Sequence, residues 1–304
     1  RILIRSESKM NDITYKAIVN GAEAFYEYHL HPSAQETFVL LHGFLSSTFS
    51  FRHLTPLLKE QYNVISVDLP PFGQSGKNKE FIYSYENLAK TVILLMEKLE
   101  IGNIHLIGHS MGGQIALNVM KQKPELVEKG ILLCSSGYLK RMNWPITMLS
   151  YIPFFHLYVK MHLAKSGIRQ NLENVVHDSK MINDEMMFGY LKPFLDDDIF
   201  RALTRMIRHR EGDLSQQDLH KIQTPCLLIW GRHDRVVPLH IGKRLNKDLP
   251  NSKLLVLENT GHLVPEERPQ DVYDHIRSFT EQEFEEEKVK TSTQKPISNT
   301  LPVT

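Results

Sequence analysis

The 304-residue chain has only two cysteines, Cys134 and Cys226, too few for the disulfide framework of a small secreted protein. Both lie in apolar runs, "GILLC" and "CLLIW", that are typical of buried strands. We therefore expect two inert core thiols. A chain that needs no disulfide suits a reducing compartment, and the predicted location is the cytoplasm.

Charge of one sign and long apolar runs are scarce as well. The formal net charge is +1 at pH 7, which gives no electrostatic support for binding nucleic acid. No stretch offers the roughly 20 uninterrupted apolar residues of a membrane-spanning helix, so no integral membrane segment is predicted. The first ten residues contain no apolar region of signal-peptide length.

Short apolar runs bounded by turn residues predict strands at 13–19, 24–29, 38–41, 63–67, 104–107, 130–134, 226–230 and 253–257. The first two form a predicted antiparallel pair around Asn20 and Gly21. The later runs are rich in Val, Ile and Leu and scarcely alternate, which is typical of parallel strands buried on both faces. Helical patterns lie at 85–99, 112–124, 240–250 and 270–284. This alternation predicts an α/β fold with a mostly parallel central sheet flanked by helices.

The interval between the runs ending at 134 and starting at 226 contains no convincing strand. We interpret 138–213 as a helical cap inserted between two late strands of a core formed by 13–137 and 214–281. Residues 1–12 are predicted to be a flexible N-terminal extension and 282–304 a disordered tail.

The predicted cap is rich in methionine and aromatic residues. These side chains either form the cap's own small core or line an adaptable apolar pocket. The segment "WPITMLSYIPFFHLYVKMHL" (144–163) has a third interpretation, a helix lying on a membrane surface. Two prolines, and polar residues that are not confined to one face, weaken that interpretation.

The stretch "IHLIGHSMGGQIAL" (104–117) places a Gly-x-Ser-x-Gly turn between a predicted strand and a helical pattern. In this context the turn predicts a nucleophile elbow, where a strained serine projects clear of the backbone. Gly108 and Gly112 would remove Cβ atoms that clash across the turn. The alternative is a purely structural turn that lets a strand pack against a helix, but the context favours Ser110 as a nucleophile.

A serine nucleophile needs a base and an acid that orients the base. In a parallel sheet these partners come from loops at the carboxyl ends of later strands. Asp234 follows the strand "CLLIW" and His262 follows "KLLVL". We therefore predict a triad of Ser110, Asp234 and His262, although Asp234 could also be a simple turn former.

Acyl transfer also needs hydrogen-bond donors for the developing oxyanion. One predicted donor is the backbone N–H of Met111, directly after the nucleophile. The other is the N–H of Phe44, in the loop that follows "FVLL". His42 is expected to brace this loop rather than to transfer protons.

The motifs "LLHGF", "DLPPFGQS", "GHSMGG", "LLIWGRHDRVVP" and "GHLVPEERP" together resemble those of the α/β-hydrolase superfamily over roughly residues 22–280. Pro71 departs from the pattern, since the family commonly has glycine there, but it touches no catalytic role. Family branches that cleave epoxides or carbon–halogen bonds carry aspartate at the elbow, and Ser110 argues against both.

The predicted function is a serine hydrolase that cleaves a small to medium hydrophobic carboxylic ester through an acyl-enzyme. This chemistry requires no metal or organic cofactor, and the protein is expected to be a monomer or homodimer. One alternative is hydrolysis of a thioester, or of a carbon–carbon bond in a vinylogous diketone, whose carboxylates could meet Arg205, Arg208 or Arg210. Another alternative is a small-molecule receptor or regulator that keeps the triad.

Overall fold

The computed structural model describes residues 3–4, 13–165 and 167–281. Nine strands in this part of the chain form one sheet. They are β1 (Leu3–Ile4), β2 (Ile13–Val19), β3 (Ala22–His29), β4 (Thr37–Leu41), β5 (Asn63–Asp68), β6 (Ile104–His109), β7 (Val127–Leu133), β8 (Cys226–Gly231) and β9 (Ser252–Leu257).

Twelve α-helices accompany the sheet in the described residues. They are α1 (Thr55–Leu58), α2 (Tyr85–Lys98), α3 (Met111–Gln122), α4 (Trp144–Leu149), α5 (Phe155–Lys165), α6 (Gly167–Val175), α7 (Asp184–Leu191), α8 (Asp198–His209), α9 (Gln216–Leu219), α10 (Leu239–Asp248), α11 (Val264–Glu267) and α12 (Pro269–Glu281). Short 3-10 turns lie at Thr48–Phe51, Pro124–Leu126, Ser179–Met181 and Lys192–Leu195.

The strand order is β1-β2-β3-β5-β4-β6-β7-β8-β9. The pairs β1–β2, β2–β3 and β3–β5 are antiparallel, whereas every pair from β5 to β9 is parallel. All residues of β4, β5, β6 and β8 are buried, so helices must cover both faces of the sheet. The predicted α/β fold and its eight strands are confirmed.

Helices α4 to α8 all lie between β7 and β8, where the sequence predicts the cap. Part of the cap closes a small apolar cluster of its own around Leu172, Met186 and Tyr190, and Leu263 from the core joins it. Within the predicted N-terminal extension, which the sequence indicates to be flexible, Leu3–Ile4 form β1 and pair with β2. Residues 1–2, 5–12 and the predicted tail 282–304 lie outside the described residues.

The parallel strands bring the predicted catalytic residues to one edge of the sheet. Phe44 follows β4, Ser110 follows β6, Asp234 follows β8 and His262 follows β9. Carboxyl ends of parallel strands share an edge, so four loops that are distant in sequence meet there. No helix of the described chain combines the length and apolarity that crossing a membrane would require.

Candidate active site

Ser110 occupies a sharp turn between β6 and α3, with φ 54° and ψ −117°. Few residues other than glycine adopt a positive φ, so the backbone here is strained. The turn is held from both sides. The Ser110 N–H donates to the carbonyl of Leu133 at 3.0 Å, and its own carbonyl accepts from the N–H groups of Gly113 and Ser136, also at 3.0 Å. This is the strand–turn–helix geometry that a nucleophile elbow requires.

Two glycines make the turn possible because the backbone passes too close for a side chain. A Cβ on Gly108 would lie 2.4 Å from the carbonyl oxygen of Gly112. A Cβ on Gly112 would lie 2.1 Å from the carbonyl oxygen of Leu41 in β4. The predicted reason for both glycines therefore agrees with the structure.

The predicted acid and base meet directly. Nδ1 of His262 lies 2.7 Å from Oδ2 of Asp234, and both side chains are buried. The other carboxylate oxygen, Oδ1, accepts from the backbone N–H groups of Val236 and Val237 at 2.8 Å each. Both oxygens of Asp234 are thus fixed, and the imidazole is held with Nδ1 toward the acid and Nε2 turned away from it.

His109 connects this pair to Ser110, because it is the residue directly before Ser110 in the chain. Its Nε2 lies 2.9 Å from the carbonyl oxygen of His262, and the two imidazole rings are 4.9 Å apart. Burial, reinforced by the nearby charge of His262, lowers the pKa of His109 to about 3. His109 is therefore a neutral donor that fixes the backbone of His262. No hydrogen bond joins Ser110 to His262 in the described residues, and such bonds are often long before substrate binds.

The loop after β4 lies against the elbow. A Cβ on Gly43 would be 3.1 Å from the Cβ of Ser110. The ring of His42 braces this loop, since Nδ1 lies 2.7 Å from the carbonyl of Gly43 and Nε2 accepts from the N–H of Leu69 at 2.9 Å. Burial lowers the pKa of His42 to about 4, which keeps the ring neutral and able to accept at Nε2.

Ser110 borders a cavity of about 310 Å³. Phe44 and Met111, the predicted oxyanion residues, line the same cavity. The remaining lining residues are Tyr85, Ser136, Gly137, Leu139, Arg210, Val236, Val237, Pro238, His240 and Ile241. The wall is mainly apolar, with a few polar groups that could orient a ligand.

The cap contributes differently from what its composition suggests. Only Leu139 and Arg210 from the predicted cap line this cavity, and no cap methionine or aromatic residue does so. The hypothesis that those side chains form an adaptable pocket is therefore not supported at this cavity. Of the three arginines singled out, Arg210 reaches the cavity, whereas Arg208 donates to Oγ of Ser150 at 3.0 Å. Arg205 is not among the lining residues.

Cys134 has a neighbourhood that the sequence did not indicate. It follows β7 with φ 44°, and its Sγ accepts from the N–H of Gly231 at 3.4 Å. Atoms of Cys134, Asp234 and His262 that could bind a metal lie within 4.8 Å of one another. Burial, together with the charge of Asp234, raises the pKa of the Cys134 thiol well above its usual value. A metal ion binds the thiolate form of cysteine, whereas the raised pKa keeps the Cys134 thiol protonated. Cys134, Asp234 and His262 are therefore poorly suited to bind a metal.

The loop that carries His262 is tied to the cap, which sequence reasoning missed. The N–H of His262 donates to the carbonyl of Val175 in α6 at 2.7 Å. The carboxylate of Glu267 accepts from the N–H of Gly261 at 2.9 Å and from the N–H of the cap residue His177 at 2.8 Å. Glu267 lies within the motif "GHLVPEERP", but the motif gives only its distance along the chain from His262. Its partner in the cap is 90 residues away, so the motif does not indicate this contact.

A second, larger cavity of about 450 Å³ lies elsewhere between the core and the cap. Arg52, Asp68 and Lys77 line it, together with cap residues such as Lys192 and Asp196. None of the predicted catalytic or oxyanion residues borders it. The smaller cavity, which contains Ser110, is therefore the candidate active site.

Comparison with known proteins agrees with this geometry. Residues 38–275 match the family described as the Alpha/beta hydrolase family. The chain is 56% identical over 261 residues to Uncharacterized hydrolase YugF of Bacillus subtilis (strain 168), which covers 86% of this chain and 95% of that protein. It is 29% identical to 2-hydroxy-6-oxo-6-phenylhexa-2,4-dienoate hydrolase of Burkholderia cepacia, over 84% of this chain and 90% of that protein.

Among solved structures, Cfl2 from Burkholderia cenocepacia superposes with a TM-score of 0.75 at 20% identity, covering 91% of this chain and 99% of that one. At that identity the likeness concerns the fold alone. The family match spans most of the chain, and it coincides with the strands and helices that build the elbow. The chain therefore belongs to the alpha/beta hydrolase family, and it is a hydrolase.

Proposed function

We propose that the protein is a serine hydrolase that cleaves carboxylic esters with a small to medium, hydrophobic acyl group. The observation that carries the proposal is the buried 2.7 Å contact between His262 and Asp234 beside the strained elbow of Ser110. The cavity of about 310 Å³ and its mainly apolar wall support a substrate of this size and polarity.

In the proposed mechanism, His262 removes the proton of the Ser110 hydroxyl as its oxygen attacks the acyl carbonyl. Asp234 holds the imidazole in position and stabilises its charged form. The N–H groups of Phe44 and Met111 stabilise the oxyanion. His262 then protonates the leaving alcohol, and a water molecule that it activates releases the acid from Ser110.

The first test is labelling with a fluorophosphonate probe, with the adduct located by mass spectrometry. We expect a single adduct on Ser110, lost in Ser110→Ala and His262→Ala. The matched control is Ser136→Ala, because Ser136 lines the same cavity and should leave labelling intact. A series of p-nitrophenyl esters should then show turnover that disappears in Ser110→Ala. An adduct on another residue, or turnover that survives in Ser110→Ala, would overturn the proposal.

A second candidate is hydrolysis of a carbon–carbon bond in a vinylogous diketone by the same triad. Arg210 favours it, because this residue lines the Ser110 cavity and its guanidinium could bind a substrate carboxylate. A relative at 29% identity carries the name of such a hydrolase. This candidate predicts faster turnover of the acidic diketone than of neutral esters. Arg210→Met should then lower kcat/KM for the diketone alone, while Arg205→Met should not.

A further inference from the structure

The outer helices of the cap, α4 and α5, present an unusual surface. Neither helix contains a buried residue, although both are mainly apolar. Ten large apolar side chains here are exposed, from 39% for Ile146 to 73% for Trp144 and Phe154. These ten define the cap patch: Trp144, Ile146, Met148, Leu149, Tyr151, Ile152, Phe154, Leu157, Tyr158 and Met161. So many apolar side chains in one exposed segment mark an interaction surface.

The packing of α5 shows why this face is left open. Val159 and Leu163 turn toward the core and pack against it. Met161 lies four residues after Leu157 and three residues after Tyr158, so these three exposed residues share the other side of the helix. Both α4 and α5 pack on α8, whose own apolar face is buried. The two helices therefore already have their inner partner, and the cap patch lies on their outer side.

The connection between the two helices, residues 150–154, has a backbone conformation that leaves its apolar residues exposed. Phe154 has φ 66°, a conformation that bulky residues rarely adopt, and its ring is 73% exposed. Arg208 from α8 holds the preceding turn, because its Nε donates to Oγ of Ser150 and its guanidinium stacks 4.3 Å from the ring of Tyr151. Pro145 lies in the first turn of α4 and Pro153 between the helices, so neither proline breaks a helix.

The segment of the chain that carries the patch has charge of one sign. Residues 138–172 contain five lysines and arginines but no aspartate or glutamate. Among them, Lys140, Arg141 and Lys165 are exposed. Three acids lie at and just before the start of the neighbouring α8, and each has a partner. Asp196 pairs with Lys77 at 3.1 Å, Asp197 with Lys160 at 2.6 Å and Asp198 with Arg201 at 3.5 Å. The patch therefore combines apolar and aromatic side chains with basic ones at its border.

We propose that the cap patch docks the protein onto an anionic lipid bilayer. The apolar side chains would enter the boundary between headgroups and acyl chains, and the lysines and arginines would meet lipid phosphates. Tryptophan and tyrosine favour this interfacial depth. A second copy of the chain fits the patch less well, because a symmetric contact would bring the same basic residues together.

The two tryptophans make the test direct. Trp144 lies in the patch and is 73% exposed, whereas Trp230 is fully buried in β8. Vesicles of equimolar phosphatidylcholine and phosphatidylglycerol should shift the fluorescence of Trp144 to the blue and sediment the protein. Vesicles of phosphatidylcholine alone should bind it more weakly, and added salt should weaken binding to the anionic vesicles. Trp144→Phe should abolish the spectral shift.

Variants distinguish binding through the cap patch from nonspecific binding through any exposed apolar side chain. The double variant Phe154→Ser/Met161→Ser should partition into anionic vesicles roughly tenfold more weakly. Its matched control is Ile18→Ser/Leu30→Ser. These two side chains are 70% and 68% exposed, but they lie outside the cap, in and beside the first strands of the sheet. The triple variant Lys140→Gln/Arg141→Gln/Lys165→Gln should lose the preference for anionic lipid. Circular dichroism and urea unfolding check that each variant is folded.

Docking is independent of catalysis, so Ser110→Ala should bind vesicles as the unchanged protein does, even if no ester is hydrolysed. Two results would overturn the proposal. One is the absence of both the spectral shift and cosedimentation with anionic vesicles. The other is a dimer in sedimentation equilibrium that Phe154→Ser/Met161→Ser dissociates, without vesicle binding, which would make the patch an interface between copies.

Discussion

Asp234 is a buried carboxylate whose two oxygens have separate partners. One oxygen faces His262, and the other accepts two backbone N–H groups. These hydrogen bonds offset the cost of burying the polar side chain. The acid is thereby held in one orientation, and its contact with Nδ1 leaves Nε2 of His262 free for the proton transfer in the proposed mechanism.

We expect Asp234→Asn to lower kcat for an activated ester by roughly 10³- to 10⁴-fold, because an amide favours the wrong tautomer of His262. The fold should survive, since asparagine retains the shape of the side chain. Steady-state kinetics with p-nitrophenyl acetate and a thermal unfolding curve measure both effects. The control is Asp274→Asn, which changes an exposed acid of α12. Full activity in Asp234→Asn would show that the acid does not orient the base.

Two neighbouring histidines show how burial assigns supporting roles. The pKa values of His42 and His109 fall to about 4 and about 3, mainly through burial, so both rings are neutral near pH 7. Each then hydrogen-bonds backbone: His42 holds the loop of Phe44, and His109 holds the carbonyl of His262. The sequence predicts the bracing role of His42, but it gave His109 no role.

At the scale of elements, the elbow depends on how closely β4, β6 and α3 approach one another. Local sequence predicts this well, because a strand, a glycine-rich turn and a helix follow one another within residues 104–122. Asp234 and His262 can be proposed from the sequence for a similar reason, since each follows a strand of recognisable composition. Contacts of the loop of His262 with the cap are not predictable, because no local pattern relates Val175 to a loop 87 residues later.

Gly112→Ala should destabilise the protein by about 3 kcal/mol, because its Cβ would lie 2.1 Å from the carbonyl oxygen of Leu41. Urea unfolding measures this change. Gly102→Ala is the matched control, since a Cβ there meets nothing within 4 Å. Equal stability of the two variants would mean that β4 and α3 can separate without cost.

Glu267 joins the loop of His262 to the cap, so under the proposed mechanism its effect should appear in catalysis. In Glu267→Gln an amide would face two N–H donors, and losing one charge-assisted hydrogen bond costs about 1.5 kcal/mol. We expect kcat to fall roughly tenfold with little change in KM, because the loop of His262 becomes looser. Hydrogen exchange at the amides of Gly261 and His177 should accelerate.

The matched control for that change is Glu258→Gln, which alters an exposed acid paired with Arg232 at 2.6 Å. It should change neither kcat nor the two exchange rates. If Glu267→Gln lowers stability but leaves kcat and exchange at Gly261 unchanged, Glu267 has only a structural role.

At the scale of the whole molecule, the sequence predicts residues 138–213 as an inserted cap but does not indicate how the surface of that segment is used. Its methionine and aromatic content indicates apolar side chains, but composition does not say whether they face a pocket, a core or solvent. Met186 and Tyr190 are buried in the cap's own cluster, whereas Trp144 and Met161 are exposed. That division depends on which side of each helix meets α8, a tertiary property that a single sequence does not display.

A buried ion pair within the core also contacts the cap. Arg52 binds Oε1 of Glu266, and the hydroxyl of Tyr190 in α7 donates to the same oxygen at 3.0 Å. Burial raises the pKa of Glu266 to about 7, and the charge of Arg52 opposes that rise. The folded pKa lies above the unfolded value of 4.5, so protonation of Glu266 favours the folded state. This contribution to stability is fully present below pH 4.5 and is lost as pH rises through 7.

Arg52→Met should therefore destabilise the protein far more at pH 8 than at pH 5. At pH 8 the variant leaves an ionised Glu266 buried without its partner, which costs about 3 kcal/mol. At pH 5 Glu266 is mostly protonated and needs no counter-charge, so the loss should be about 1 kcal/mol. Urea unfolding at both pH values measures the difference. Arg232→Met, which breaks an exposed pair, should cost less than about 1 kcal/mol at either pH, and an equal loss for Arg52→Met at both pH values would contradict the assignment.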